Sequence, residues 1–464
     1  MKTDLFADKE FNRKLTKLTL PIAFQSLMLA SVAACDALML GRVSQNAMAA
    51  VSLATQVQFV QNMFLGAVTG TVGILGAQYW GKGDKNTIQK IFWISLRLAC
   101  IVSVLFCCGC VFCPRALMRL FAGDPALVEI GADYLKIAGW SYLITGVSQC
   151  LLAVMKVTGH AARSAWVSSG AVVLNAGLNA VFIFGLFGCP AMGANGAALA
   201  TLFARVAELL WAAGSSLQKG FFRPRLSMFF ARDKALTRDY AKIGFPLLGS
   251  YAFWGVGFTS YTAVMGQMGA DAAAANAVAA VVRDLLCCLC NGVCTGGGIL
   301  LGNELGAGRL DTGRRYGERL SKLSVLIGLG VMVFILALTL PVTRFVKLSD
   351  TARAYLIEMM LILSVYMVGR SVNTVVINGV FSAGGDTLFD VYSLAVCMWG
   401  VAVPLAFLGA FVFHWPVAVV YACTCVDEVG KLPWVYAHYR KYKWVKDLTR
   451  DAAPDGAQGF GNRT

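Results

Sequence analysis

Twelve long apolar runs, broken only by polar connections, constrain this chain more than any other feature. A helix needs about 20 apolar residues to cross a hydrocarbon layer about 30 Å thick. Inside lipid every backbone polar group must find its partner within the protein, which leaves helices and closed barrels as spanning structures. Barrel strands alternate polar and apolar residues over about ten positions. These runs do not alternate, so they read as helices. The expected fold is an all-α polytopic membrane protein with spans at 15–40, 47–76, 90–113, 127–155, 164–187 and 194–218. The second six run 240–268, 273–301, 317–341, 353–380, 388–413 and 416–438. Composition agrees, since only 14% of the 464 residues are charged, against about 25% in soluble domains.

The net charge of +15 raises the question of a nucleic-acid partner, but the positions of the basic residues answer it differently. Membrane proteins concentrate Lys and Arg in cytoplasmic loops. With the N-terminus inside, that side collects Lys2, Lys9, Arg13, Lys14, Lys17, Lys82, Lys85, Lys90, Lys156 and Arg163. The connection between halves adds Lys219, Arg223, Arg225, Arg232, Lys234, Arg238 and Lys242, and the loop after the eighth span adds Arg309, Arg314, Arg315, Arg319 and Lys322. The other side holds only Arg42, Arg115, Arg119, Arg344, Lys347 and Arg353. The charge therefore reads as topology: a multi-pass protein of the cell (inner) membrane, both termini cytoplasmic, with no nucleic-acid partner. The 15 cysteines lie mostly within apolar runs. Cys110 and Cys113 form a C-x-x-C with no histidine nearby, so they read as small packing residues rather than a metal or redox site. The acidic residues of the N-terminal segment and its lack of a cleavage site argue against a signal peptide.

The two sets of six spans repeat each other. Shifting the sequence by 225 residues aligns Pro21 with Pro246, Gly41 with Gly266, Gly73 with Gly298, Gly81 with Gly306, Gly83 with Gly308, and Gly159 with Gly384. Six is even, so both halves enter from the same side and are parallel repeats about an axis along the membrane normal. The expected organisation is an N-terminal six-helix lobe (1–218), a cytoplasmic linker (219–239), a C-terminal lobe (240–445) and a disordered cytoplasmic tail (446–464). The lobes form a V around a central cleft.

One residue does not fit a purely apolar first span. Asp36, in "AACDALMLGR", would cost roughly 2.5 to 3.5 kcal/mol as a charge at a helix centre, so it must be paired, protonated or facing water. Asn175 and Asn179, spaced i, i+4, share one helix face, and two such amides can hydrogen-bond a carboxylate or replace water around a small cation. Buried asparagines also join transmembrane helices without any transport role.

The stretches "TLPIAFQSL" and "CDALMLGRV" lie in the first span. They are followed in order by "GAQYWGKGD", "LNAGLNAVFIFG", "GANGAALAT", "GNELGAGR" and "SAGGDT". Over residues 14 to 445 the chain resembles multidrug and toxic compound extrusion (MATE) transporters, of the multidrug/oligosaccharidyl-lipid/polysaccharide flippase superfamily. The resemblance implies an antiporter that exports cationic or amphipathic small molecules by alternating access, in exchange for protons or sodium. It implies a coupling site at Asp36, Asn175 and Asn179, with a Na⁺ or a proton at Asp36 and no other metal or cofactor. It also gives Pro21, and through the repeat Pro246, a hinge role. Proline removes a helical hydrogen bond, although Pro21 as a helix start stays open. The protein is expected to work as a monomer in the lipid bilayer.

The second lobe departs from that pattern. Sodium-coupled relatives carry acids in the seventh and tenth spans. Here "FPLLGSYAFWGVGF" has none, and Arg370 stands where an aspartate would be expected. Arg370 reads as the partner of a carboxylate across the cleft or a contact for an anionic substrate group. Gln56 and Tyr261, with Gln25 and Trp254, are candidate cleft residues. Arg205 with Glu208, and Glu428 with Lys431, read as self-neutralising i, i+3 pairs outside the site. Arg283 and Asp284, being adjacent, are expected to need separate partners. Two alternatives stay open: a lipid-linked oligosaccharide flippase, which would want cleft arginines such as Arg370 and Arg283, and a channel or non-transporting receptor. An enzyme is not expected, because His160, His414 and His438 are dispersed and no nucleotide-binding loop appears.

Overall fold

The computed structural model describes residues 8–230, 233–346 and 348–450. The basic residues Lys2, Arg232 and Lys347 and the tail beyond 450 lie outside the described residues. The first six spans are α1 (Lys9–Gly41), α2 (Gln45–Lys82), α3 (Lys85–Phe112), α4 (Pro125–Val157), α5 (Ala161–Phe184) and α6 (Ala194–Ser216). The second six begin with α7 (Lys234–Gln267), α8 (Ala270–Gly306), α9 (Leu310–Phe345) and α10 (Asp350–Phe381). They end with α11 (Leu388–Phe411) and α12 (Val417–Gly430, continued by Leu432–Tyr439). Among the described residues no strand occurs. The chain thus forms two six-helix bundles, as the repeat required.

Several helices begin earlier than their apolar cores because a polar residue caps them. Asp8, Ser44, Asp84, Asp124, Asp233 and Ser349 each accept a backbone N–H from the first turn, satisfying donors that a helix leaves unpaired. Gly83 ends α2 at φ 82°, a left-handed conformation that glycine adopts at little cost. Pro21 and Pro246 lie inside the continuous helices α1 and α7, so Pro21 is not a helix start. The end of α10 (Thr374–Phe381) and part of α11 (Leu394–Ala402) are wound as π-helix, a geometry often found at functional sites.

Capping supplies a pH-dependent element of stability. The Leu236 backbone N–H, and secondarily Lys90, holds the Asp233 carboxyl below its ordinary range against an opposing burial effect. Lys90 Nζ lies 3.1 Å away. A depressed folded-state pKa contributes stability above the unfolded value, about 3.9, and that stability is lost as pH falls through the folded value. Asp233→Ala is therefore expected to cost about 1 kcal/mol at neutral pH, read as a lowered melting midpoint in detergent. The difference from wild type should shrink below about pH 4.

The repeat is also a packing rule. α2 crosses α8 so closely that a Cβ on Gly81 would sit 2.0 Å from the Asn303 carbonyl oxygen, and one on Gly306 2.0 Å from that of Gln78. Under the 225-residue shift Gln78 becomes Asn303 and Gly81 becomes Gly306, so one contact is made twice about a pseudo-two-fold axis. Thr19 of α1 meets Gly296 of α8, and its repeat partner Gly244 of α7 meets Thr71 of α2. These contacts join the lobes toward the end that carries both termini. The tail takes part, which corrects the expectation of disorder from residue 446. The Leu448 N–H donates to Gln78 Oε1 at 2.6 Å, and Arg450 makes a two-pronged bond to Asp239 at the start of α7. Residues 446–450 are thus fastened to α2 and α7. The linker is held similarly: Gln89 of α3 bonds the backbone of Arg223 and Arg225.

Candidate functional site

Three polar features interrupt the apolar interior. The first is a pocket of about 70 Å³ in the N-terminal lobe, lined by Asp36, Asn175, Thr55, Gln58, Tyr134, Thr201 and Arg205. The i, i+4 spacing on α5 stacks the two asparagines. Asn179 Nδ2 donates to Asp36 Oδ1 at 2.5 Å and to Asn175 Oδ1 at 3.4 Å, while Asn175 Nδ2 donates to Thr201 Oγ1 at 3.3 Å. Asn179 Oδ1 is buried without a partner. Burying an unpaired amide oxygen is costly, so the pocket has hydrogen-bonding capacity to spare. Arg205 and Glu208 do pair, at 2.7 Å, yet Arg205 also borders this pocket. It is not outside the site, as its i, i+3 spacing suggested.

The second feature is a charged cluster in the C-terminal lobe. Arg370 of α10 donates to Glu428 Oε1 of α12 at 2.6 Å, Lys431 lies 2.9 Å from Glu428 Oε2, and Asn373 donates to the same oxygen at 2.7 Å. Asp390 and Asp427 are buried nearby, and Glu428 is only 1% exposed. One carboxylate therefore holds two cations, Lys431 buried and Arg370 partly exposed at the cavity wall. The partner of Arg370 is in its own lobe, not across the cleft. Glu428 and Lys431 are corrected from a closed pair outside the site to part of a larger network within it.

The third feature is a cavity of about 490 Å³ between the lobes. Gly66, Gly70, Thr69, Gln149 and Lys156 form its N-terminal wall. Trp254, Asn291, Thr295, Asn378, Arg370, Asp390, Glu428 and Lys431 form the C-terminal one. The π-helical turn of α10 places Asn378 there. Three expected cleft residues are elsewhere. Gln25 is buried and lines neither cavity. Gln56 is exposed and lines neither cavity, whereas Gln58, two positions on, faces Asp36. Tyr261 is buried against Leu394, Met398 and Ala402 and also lines neither. Arg283 and Asp284, expected to need separate partners, bond each other at 2.9 Å. The Arg283 guanidinium also lies 4.3 Å over the Phe258 ring. Among the described residues no cluster of metal-ligating side chains occurs.

The comparisons agree with this architecture. The family model described as MatE matches residues 21–181 and again 246–408, and the two matches begin 225 residues apart, the offset of the repeat. The uncharacterized transporter YisQ of Bacillus subtilis is 26% identical over 446 residues, covering 95% of this chain and 96% of its own. The probable multidrug resistance protein NorM of Bradyrhizobium diazoefficiens is 25% identical over 402 residues, covering 85% and 86%. In fold, the chain superposes on a MOP superfamily transporter from Pyrococcus furiosus with a TM-score of 0.84 at 18% identity, over 93% of this chain and 96% of that one. Two matched halves, two glycine-bonded lobes and a shared central cavity place this chain in the MATE family of membrane transporters.

Proposed function

We propose that this protein is a proton-driven antiporter that exports amphipathic small molecules, with Asp36 as the coupling carboxylate and both termini cytoplasmic. The observation that carries this reading is the Asp36–Asn179 hydrogen bond in a pocket of the N-terminal lobe, set apart from a larger cavity between repeat-related lobes. The relatives named NorM, probable multidrug resistance proteins, support the efflux assignment.

The lobes are joined near the termini, so the cavity faces outward. A proton from outside neutralises Asp36 and removes the charge that Asn179 stabilises. The distal part of α1, beyond Pro21, then repacks against α5, the cavity loosens and the substrate leaves. Rocking about the glycine contacts turns the cavity inward, where the proton departs. A proton is favoured over sodium because the pocket presents a single carboxylate, with the Arg205 guanidinium on its wall opposing a second fixed cation. The flippase alternative loses its support, since Arg370 and Arg283 are both engaged by carboxylates.

Flux in proteoliposomes tests the assignment. A fluorescent organic cation should move against its gradient when a proton gradient is imposed, and should not when only a sodium gradient is imposed at equal pH. Transport driven by sodium alone would reassign the ion.

A further inference from the structure

Lys156 is one residue from the end of α4, and there it lines the central cavity. Three cations border that space, but they are not equivalent. Arg370 and Lys431 share Glu428 at 2.6 and 2.9 Å. Among the described residues no carboxylate comes within ion-pair distance of Lys156. The nearby acid, Glu208, is bonded to Arg205 at 2.7 Å. Gln149, Asn291, Thr295 and Asn378 border the same cavity, and among the described residues their side chains have no hydrogen-bond partner. A half-buried ammonium with the unused Gln149 amide on its own helix, facing two unused amides and a hydroxyl across the cavity, has the chemistry of a site for a carboxylate. The opposite wall carries the Trp254 ring and Asp390, together with Glu428, whose charge is taken up by Arg370 and Lys431; it offers an aromatic body a ring to pack on and one carboxylate outside those ion pairs.

We propose that Lys156 binds the carboxylate of the transported compound, so that the central cavity selects zwitterionic amphiphiles over the corresponding cationic esters. This rests on the cavity being the substrate site of the efflux protein proposed above.

Rhodamine 110, which carries a free carboxylate, and rhodamine 123, its methyl ester, form a matched pair. Their binding to the full-length protein in phosphatidylcholine nanodiscs is measured by fluorescence anisotropy. Wild type is expected to bind the acid about tenfold more tightly than the ester, as one charge-assisted contact allows. Lys156→Gln should bring the two affinities together, and Lys156→Arg should keep them apart, which separates lost charge from lost folding. Equal affinities in wild type, or an unchanged ratio in Lys156→Gln, would overturn the proposal. So would loss of the ratio in discs containing phosphatidylglycerol, because the site would then belong to a lipid headgroup. Proteoliposome efflux of both dyes separates this from the wider reading. A preserved binding ratio without proton-driven efflux leaves the subsite standing and rejects the antiporter, whereas efflux of both dyes without a ratio rejects the subsite alone.

Discussion

Across an inward proton gradient of one pH unit, Asp36→Asn is expected to hold no concentration gradient of a dye that the wild type concentrates about tenfold. One pH unit is worth about 1.36 kcal/mol per proton, and that free energy corresponds to a tenfold concentration ratio. Asparagine keeps the shape of the side chain and can still accept from Asn179 Nδ2, which now donates to Asp36 at 2.5 Å. The pocket should survive, and with it downhill exchange. What is lost is the obligation to carry a proton, so accumulation should collapse to a ratio of one while counterflow persists. The electrical behaviour adds a second readout. One proton exchanged for one monocation is electroneutral, so potassium and valinomycin should change nothing. One proton exchanged for a zwitterion moves a net charge, and each 100 mV then adds about 2.3 kcal/mol. A variant that still concentrates the dye tenfold would remove Asp36 from the coupling role.

The sequence makes some of this arrangement readable because it depends on local spacing. The repeat offset predicts two lobes, and one aligned pair, Gly81 and Gly306, carries the α2–α8 crossing, because a Cβ on either would sit 2.0 Å from a carbonyl oxygen of the facing helix. The asparagine pair follows from helical periodicity, and Asp36 is conspicuous for its unfavourable surroundings. The C-terminal cluster is hidden for the opposite reason. Glu428 and Lys431 satisfy an i, i+3 rule and look self-contained, while Arg370 lies 58 residues away in the chain, a distance no local pattern spans. Lys156 is disguised by its place one residue from a helix end, where a lysine ordinarily reports topology. Gln56 illustrates a different limit. Each residue turns a helix by about 100°, so a polar residue in a span cannot be assigned a face until the neighbouring helices are known.

Removing the Glu428 carboxylate should destabilise the C-terminal lobe more than any other single polar change in it. Glu428→Gln would leave Arg370 and Lys431, now 2.6 and 2.9 Å from its oxygens, as cations without their shared counter-ion. Breaking a buried ion pair by deleting one partner costs about 3 to 5 kcal/mol. Asp390 and Asp427, buried beside the cluster, offset part of that, and Asn373 keeps its bond to the Glu428 carbonyl at 2.6 Å. A helical membrane protein of this size need not unfold in two states, so the readout is the apparent melting midpoint in detergent, expected to fall by on the order of 5 °C. The decisive comparison is the double variant Arg370→Met/Glu428→Met, which removes opposite charges together and leaves Lys431 to the two aspartates. Apolar replacement of a whole buried pair is often neutral, so the double variant should regain at least half of the lost midpoint. Such non-additivity is the mark of groups acting within one network. If Glu428→Gln melts with wild type, or the two changes simply add, Glu428 is not the residue that holds the two cations in the lobe.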